Sequence, residues 1–188
     1  MYDIDRGVNM NRRELYLPAD EFERDCRFET LRRSGPGGQN RNKVETGVRM
    51  YHLPTGLVGE ATERRRQGEN RKQAVFRLRM ELALRVRAPI EITFDNQGVA
   101  VEVTSSLMWF TRRGNDSRIL ISKDSVDYPA LVADFFDVYA AVKEDLPTAA
   151  RLLQTTPSQI VRFLGKIPAG LNLLNEHLER KGLRRLRA

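Results

Sequence analysis

The chain reads DCRFETLRRSGPGGQNRNKVETGVRMYHLPTG over residues 25–56. This stretch places a glycine-rich segment between two extended runs and ends on a Pro-Thr-Gly turn signal. Residues 27–31 are predicted to form a strand that leads into the glycine-rich segment, with Phe28 as an inward-facing anchor. Residues 47–53 and 57–62 are predicted to pair as a β-hairpin around the turn. The stretch therefore predicts a small antiparallel sheet from which a loop projects.

The projecting loop carries the triplet Gly37-Gly38-Gln39. Because Gly37 and Gly38 have no side chain, the backbone can bend sharply and approach another molecule closely. Successive backbone N–H groups in such a loop can converge on a developing oxyanion. The amide of Gln39 can position a water molecule, but it has no useful pKa and cannot serve as a general base. Any hydrolysis by this loop would therefore rely on positioning and electrostatics.

A helix is predicted after the hairpin, with Asn70 as its N-cap and Pro89 just beyond its end. Its apolar side consists of Val75, Phe76, Leu78, Met80, Leu82 and Ala83. Residues 63–87 contain nine Arg or Lys and three Glu. Such an excess of positive charge is typical of contacts to RNA phosphates, although any single arginine can equally be a solvated helix residue.

The order of residues around the loop resembles the catalytic domain of class I peptide chain release factors. It is also similar to the codon-independent ribosome rescue hydrolases related to them. The positions that carry this likeness are Asp25, Arg27, Thr30, Arg32, Ser34, Gly35, Gly37, Gly38, Gln39, Asn42, Lys43, Val48, Arg49, His52, Leu53, Pro54, Thr55 and Gly56. The likeness continues through residues 63–67 and 70–72 and covers about residues 20–87.

The resemblance implies codon-independent hydrolysis of the peptidyl-tRNA ester on the ribosome, with Gly37, Gly38 and Gln39 as the catalytic residues. Codon independence is expected because nothing here resembles the codon-reading domain of true release factors. The residues expected to contact RNA are Arg32, Arg33, Ser34, Arg41, Asn42, Lys43, Arg64, Arg65, Arg66, Arg71 and Lys72. Large-subunit ribosomal RNA and peptidyl-tRNA are the implied partners, together with a methyltransferase that modifies Gln39. No metal and no organic cofactor are implied.

Three segments are predicted along the chain. Residues 1–88 form the release-factor-like catalytic domain, and residues 89–128 form a β-rich connection with a hairpin (90–94 and 99–103) and a short strand at 119–122. Residues 129–188 form a helical segment with a basic tail, whose first helix is expected to turn Asp134 and Asp137 away from its apolar side. The fold class is therefore α+β: a small antiparallel sheet with a packed helix and a projecting loop, then a mostly helical part.

Composition limits the remaining function classes. The chain has 188 residues, a net charge of +7, one cysteine and two histidines. A single cysteine excludes an internal disulfide, and so few thiols and imidazoles predict no Cys/His metal site. No apolar run approaches the ~20 residues of a membrane span, so a cytoplasmic location is expected. The protein is also expected to be a monomer.

Two alternative functions remain open at this point. One is a non-catalytic adaptor that binds the ribosome or tRNA. The other is a helix-turn-helix nucleic-acid-binding protein, since residues 148–164 have the spacing of two short helices joined by a tight turn. Ser158, Gln159 and Arg162 would then occupy the recognition positions.

Overall fold

The computed structural model describes residues 12–32, 45–103, 107–114 and 116–188. The chain divides into two compact units, Met1–Arg85 and Val86–Ala188. The prediction of three segments remains a prediction, and in the structure residues 89–128 and 129–188 lie in the same unit. Among the described residues, no helix is both long and apolar enough to cross a membrane.

The first unit is a three-stranded antiparallel sheet with one long helix packed against it. The strands are β1 (Cys26–Leu31), β2 (Gly47–His52) and β3 (Val58–Ala61), in the order β1-β2-β3. Short helical turns at Arg12–Tyr16, Ala19–Phe22 (α1) and Glu23–Asp25 precede the sheet, and α2 (Gln67–Arg85) follows it. Both the predicted hairpin and the predicted long helix are confirmed.

Alternation along β2 determines which face of the sheet is buried. Val48 and Met50 are buried on the side that packs against α2, whereas Arg49 and Tyr51 are half-exposed on the opposite side. Helix and sheet approach most closely at Gly59 in β3. A Cβ atom added there would lie 2.2 Å from the carbonyl oxygen of Ala74. Glycine at this position therefore allows the backbones of β3 and α2 to touch.

Two predictions within the first unit are wrong. Phe28 is not an inward anchor, because 41% of its surface is exposed on the edge strand β1. Asn70 is not the N-cap of α2, since the helix begins at Gln67 and Asn70 is a buried residue within its first turn. Its side chain reaches backward to other segments instead.

His52 closes the turn between β2 and β3. Its Nδ1 lies 2.8 Å from the hydroxyl oxygen of Thr55, and its Nε2 lies 3.1 Å from a carboxylate oxygen of Glu14. Burial lowers the pKa of His52, although Glu14 acts in the opposite direction. The Thr55 hydroxyl also accepts a hydrogen bond from the backbone N–H of Leu57. These contacts fix the hairpin turn.

Cys26 is the only cysteine in the chain, and its thiol is partly buried. Burial, aided by the negative charges of Glu23 and Asp25, raises the pKa of Cys26 to about 12. Its sulfur lies 3.5 Å from the carbonyl oxygen of Phe22. The thiol is thus protonated near neutral pH.

The second unit begins with a hairpin and continues as helices. Its strands are β4 (Ile92–Phe94) and β5 (Ala100–Val103), and its helices are α3 (Tyr128–Ala141), α4 (Leu146–Leu152), α5 (Pro157–Leu164) and α6 (Pro168–Arg180). A short 3-10 turn covers Met108–Thr111. The predicted second hairpin is confirmed, with Gly98 at φ +75° in its turn. Together the two units bear out the predicted α+β class.

Helix α3 is buried on nearly every side, so the prediction that Asp134 and Asp137 face away from the core is wrong. Asp134 accepts a hydrogen bond from the backbone N–H of Trp109 at 2.8 Å, and Asp137 lies 3.5 Å from Arg87. These buried carboxylates have partners that no helical periodicity reveals. The predicted strand at residues 119–122 is also wrong, because the described residues there form only an isolated bridge at Ile119.

The two predicted short helices form, and the basic tail folds back along α6. Thr156 caps α5 by accepting a hydrogen bond from the backbone N–H of Gln159. Beyond α6, Gly182 adopts φ +71° and the chain reverses. The buried Asn175 accepts from the backbone N–H of Leu186 at 2.7 Å and donates to its carbonyl oxygen at 3.1 Å. The tail is therefore anchored on the helix.

Candidate functional site

Residues 33–44 lie outside the described residues, and with them Gly37, Gly38 and Gln39. The predicted RNA contacts Arg33, Ser34, Arg41, Asn42 and Lys43 lie there too. What the structure places is the pair of chain segments from which this loop leaves the sheet. Leu31 at the end of β1 pairs with Gly47 at the start of β2. We call residues 30–32, at the end of β1, and residues 45–46, just before β2, the loop base.

One carboxylate joins the two sides of the loop base. Glu45 accepts a hydrogen bond from the hydroxyl of Thr30 at 2.7 Å and another from Nε of Arg32 at 3.0 Å. These hydrogen bonds, Thr30 first and Arg32 second, hold the pKa of Glu45 below its ordinary value. The carboxylate is therefore ionised at neutral pH and ties together residues on either side of the loop.

The start of α2 fixes the loop base from a second direction. Asn70 donates from Nδ2 to the carbonyl oxygen of Thr46 at 2.6 Å and to that of Arg64 at 3.0 Å. Its Oδ1 accepts from the backbone N–H of Arg64 at 2.9 Å. Gln67 adds a longer hydrogen bond, 3.4 Å, to the carbonyl oxygen of Glu45. One buried amide thus holds the loop base, the helix start and the segment before the helix in a single arrangement.

Residues 64–66, which we call the basic segment, immediately precede α2. The side chains of Arg64, Arg65 and Arg66 are exposed, as is that of Lys72 on the helix. Within the described residues, these four side chains make no hydrogen bond or ion pair. Because Asn70 fixes the backbone of Arg64, their positive charges are held beside the loop base and are available to an anionic partner.

Two of the predicted RNA-binding residues have partners within the protein. Arg32 pairs with Glu45 in the loop base. Arg71 pairs with Glu23 and places its guanidinium carbon 5.1 Å from the ring centroid of Phe28. The hydrogen bond to Glu23 raises the pKa of Arg71. Both arginine side chains are therefore held in place by acidic residues of the protein itself.

Sequence reasoning missed Glu45, Asn70 and Glu23 as determinants of the site. Glu45 lies between the glycine-rich segment and the strand that starts at Gly47. This position in the sequence was a usable signal that its carboxylate lies at the loop base. Asn70 and Glu23 gave no such signal, because their partners are distant in sequence and depend on how α2 crosses the sheet.

Comparison with known proteins identifies this architecture. The RF-1 domain family model matches residues 20–103, a range that brackets the loop, the loop base and the basic segment. Residues 20–103 are therefore similar to the RF-1 domain, a domain shared with peptide chain release factor 1 proteins. The match extends beyond the resemblance found by reading the sequence and includes the β4–β5 hairpin.

Individual release factors are similar to the same part of the chain. Peptide chain release factor 1 of Lactococcus lactis subsp. cremoris is 49% identical over 67 residues, which cover 32% of this chain and 19% of that protein. The protein of the same name from Xylella fastidiosa is 47% identical over 83 residues, covering 44% and 21%. That of Dictyoglomus thermophilum is 46% identical over 59 residues, covering 31% and 16%. The chain thus spans about a fifth of the length of these relatives.

The RF-1 domain accounts for the geometry of the first unit. Its sheet and helix form a support on which both ends of the loop are fixed, and its unpaired cations lie beside that support. The match ends at Val103, whereas the second unit continues to Ala188 with its own core around Trp109. Helices α3 to α6 of the second unit therefore lie outside the matched region.

Proposed function

We propose that this protein hydrolyses the ester bond of peptidyl-tRNA on the ribosome. The observation that carries the proposal is the RF-1 domain match over residues 20–103, which includes Gly37-Gly38-Gln39. The relatives that share this region are peptide chain release factors. Since the chain covers only part of those proteins, activity and substrate are inferred from the domain and its chemistry.

In the proposed reaction, the backbone N–H of Gln39 donates to the oxyanion of the tetrahedral intermediate. Its side-chain amide positions the attacking water, and Gly37 and Gly38 permit the required backbone conformation. A preorganised donor of this kind typically accelerates the reaction by roughly 10²–10³. No side chain of the triplet is a base, so the RNA of the ribosome and of the substrate supplies the remaining catalysis.

The loop base supports this proposal through positioning. A catalytic loop gains most when its ends do not move relative to the bound substrate, because small displacements of the reacting groups are costly. Glu45 links both sides of the loop base, and Asn70 ties the same base to α2. The exposed cations of the basic segment would contact ribosomal RNA phosphates and hold the domain in place.

Codon independence is the finer part of the proposal. It rests on the resemblance to ribosome rescue hydrolases, in which release does not need a stop codon. The experiment is peptide release from purified ribosomes that carry peptidyl-tRNA, with an empty A site, a sense codon or a stop codon. Equal release from all three complexes is expected, and release only at a stop codon would contradict codon independence.

Variants of the loop test the chemistry itself. Gly38→Ala is expected to lower release by about 10²-fold or more while ribosome binding persists. Gly68→Ala is the matched control, because a Cβ atom at this exposed helix position meets no other atom within 4 Å. Normal release by Gly38→Ala would contradict the mechanism. Ribosome binding without any release by the wild-type protein would favour the adaptor alternative.

Several accompanying predictions remain open to test. They are the N-methylation of Gln39 by a methyltransferase, the monomeric state and the cytoplasmic location. For the helix-turn-helix alternative, α5 leaves Ser158 and Arg162 exposed. Duplex-specific footprinting of the whole chain would detect that activity, and its absence together with peptide release supports the proposed hydrolase.

A further inference from the structure

Phe28 is an unusual residue for its place in the sheet. It pairs with Met50 and so lies on the side of the sheet that packs against α2, yet Met50 is 1% exposed and Phe28 is 41% exposed. The difference arises because β1 is an edge strand. A large aromatic ring is thus left accessible two residues before Thr30, where the loop base begins.

The accessible ring is covered on part of its surface by a fixed cation. The guanidinium carbon of Arg71 lies 5.1 Å from the ring centroid of Phe28. The carboxylate of Glu23 accepts a hydrogen bond from Nε of Arg71 at 2.9 Å and a second one from its terminal NH2 group. Because Glu23 compensates the positive charge and restricts the side chain, Arg71 serves better as a planar stacking group than as a mobile phosphate ligand.

Cations without a partner in the described residues lie on the same helix as Arg71 and directly before it. Lys72 follows Arg71 on the helix, and the basic segment precedes the same helix. None of these cations has an acidic partner in the described parts of the chain. An apolar protein partner would gain nothing from so many unpaired charges, whereas a nucleic acid strand supplies both phosphates for the cations and flat rings for the aromatic group.

We propose that Phe28 and Arg71 form a stacking platform for an unpaired nucleobase of RNA, whose phosphates are held by the basic segment and Lys72. Unpaired bases stack on aromatic rings and on guanidinium planes without regard to base identity. The inference rests on the proposed function in naming RNA as the partner, and it adds a base contact that the phosphate-binding residues do not provide. Phe28 lies two residues before Thr30, so the proposed platform is next to the loop base.

The direct test compares two ligands that differ only in their bases. A short labelled oligoadenylate and a base-free sugar-phosphate oligomer of the same length are titrated with the full chain, and binding is followed by fluorescence anisotropy. Phe28→Leu should weaken oligoadenylate binding by roughly 5- to 100-fold. It should leave binding of the base-free oligomer unchanged within error, because the phosphate contacts remain.

Further variants separate stacking from folding and from charge. Phe28→Tyr keeps the ring and should retain binding, and Arg71→Lys keeps the charge but should lose affinity for oligoadenylate only. Phe94→Leu is the matched control, since Phe94 is also exposed on a strand, at 56%. Arg65→Ala should weaken both ligands and reduce the slope of log K against log salt by about 0.7 per lost phosphate contact, whereas Phe28→Leu leaves that slope unchanged.

Wild-type binding of oligoadenylate by Phe28→Leu would overturn the platform, and so would equal weakening of both ligands. These outcomes are distinguishable from failure of the proposed hydrolysis. A wild-type protein that releases no peptide but binds oligoadenylate in a Phe28-dependent manner keeps the platform and loses the hydrolase. If the protein releases peptide but Phe28→Leu binds oligoadenylate as well as the wild type does, the hydrolase is kept and the platform is lost.

Discussion

Replacing Asn70 by alanine removes the side chain that joins the start of α2 to both the loop base and the basic segment. Three hydrogen bonds are lost, with the carbonyl oxygens of Thr46 and Arg64 and with the backbone N–H of Arg64. Each contributes about 1 kcal/mol to the free energy of unfolding. The higher helix propensity of alanine offsets about 0.7 kcal/mol. The net loss is about 2 kcal/mol, or roughly 30-fold in the local opening equilibrium.

Hydrogen exchange measured by mass spectrometry can locate this effect. Peptides that cover residues 45–52 and 62–72 should lose protection by about the same factor. Fluorescence of Trp109, the only tryptophan, reports on the second unit and should not change. Peptide release should fall as well, because the loop base loses its connection to α2.

Asn172→Ala is the matched control, because Asn172 is an exposed residue of α6 with no side-chain hydrogen bond among those described. It should leave both protection and release unchanged. Unaltered protection around residues 45–52 in Asn70→Ala would refute the role assigned to this amide. A loss of protection spread evenly over both units would refute it too.

Three further predictions concern other contacts. Gly59→Ala should destabilise the first unit by about 3 kcal/mol or more, because the added Cβ atom would lie 2.2 Å from a backbone oxygen of α2. The same hydrogen-exchange experiment measures this loss. Gly68→Ala is the control and should not destabilise the unit. Glu45→Gln should lower the rate of peptide release more than it lowers ribosome affinity. Because the pKa of Glu45 is lowered, the hydrogen bonds that ionised Glu45 accepts from Thr30 and Arg32 should be fully present above the ordinary pKa of a glutamate. They should be lost as pH falls through the lowered pKa. Asp134→Ala should cost about 2–4 kcal/mol in denaturant unfolding followed by Trp109 fluorescence, because a buried backbone N–H loses its acceptor; an unshifted transition would contradict that role.

Local sequence patterns were sufficient for the two hairpins and for helix α2, although not for residues 119–122. Alternation and a glycine turn predicted both hairpins, and the spacing of Val75, Leu78 and Leu82 predicted α2. These signals work because each depends on residues that are near one another in the chain. The α+β class followed from them.

The errors share a different physical origin. Alternation assigned Phe28 to the correct face of the sheet but could not reveal that β1 is an edge strand. Helical periodicity placed Asp134 opposite an apolar side, although α3 is buried all round and its carboxylate meets a backbone N–H from another segment. Asn is a preferred N-cap residue, so its place near a helix start predicts capping, whereas Asn70 bonds instead to Thr46 and Arg64. In each case the deciding partner is remote in sequence.

The partly buried thiol of Cys26 has a practical consequence for studying the protein in motion. Thiol reagents attack the thiolate, and the raised pKa of Cys26 keeps this thiol protonated and therefore almost unreactive at neutral pH. A cysteine introduced by Asn172→Cys, at an exposed position outside the proposed RNA contacts, will therefore accept a fluorophore without competition from the native thiol. The chain can thus be labelled at a single chosen point while Cys26 is kept, and its arrival at a labelled ribosome can be timed by energy transfer.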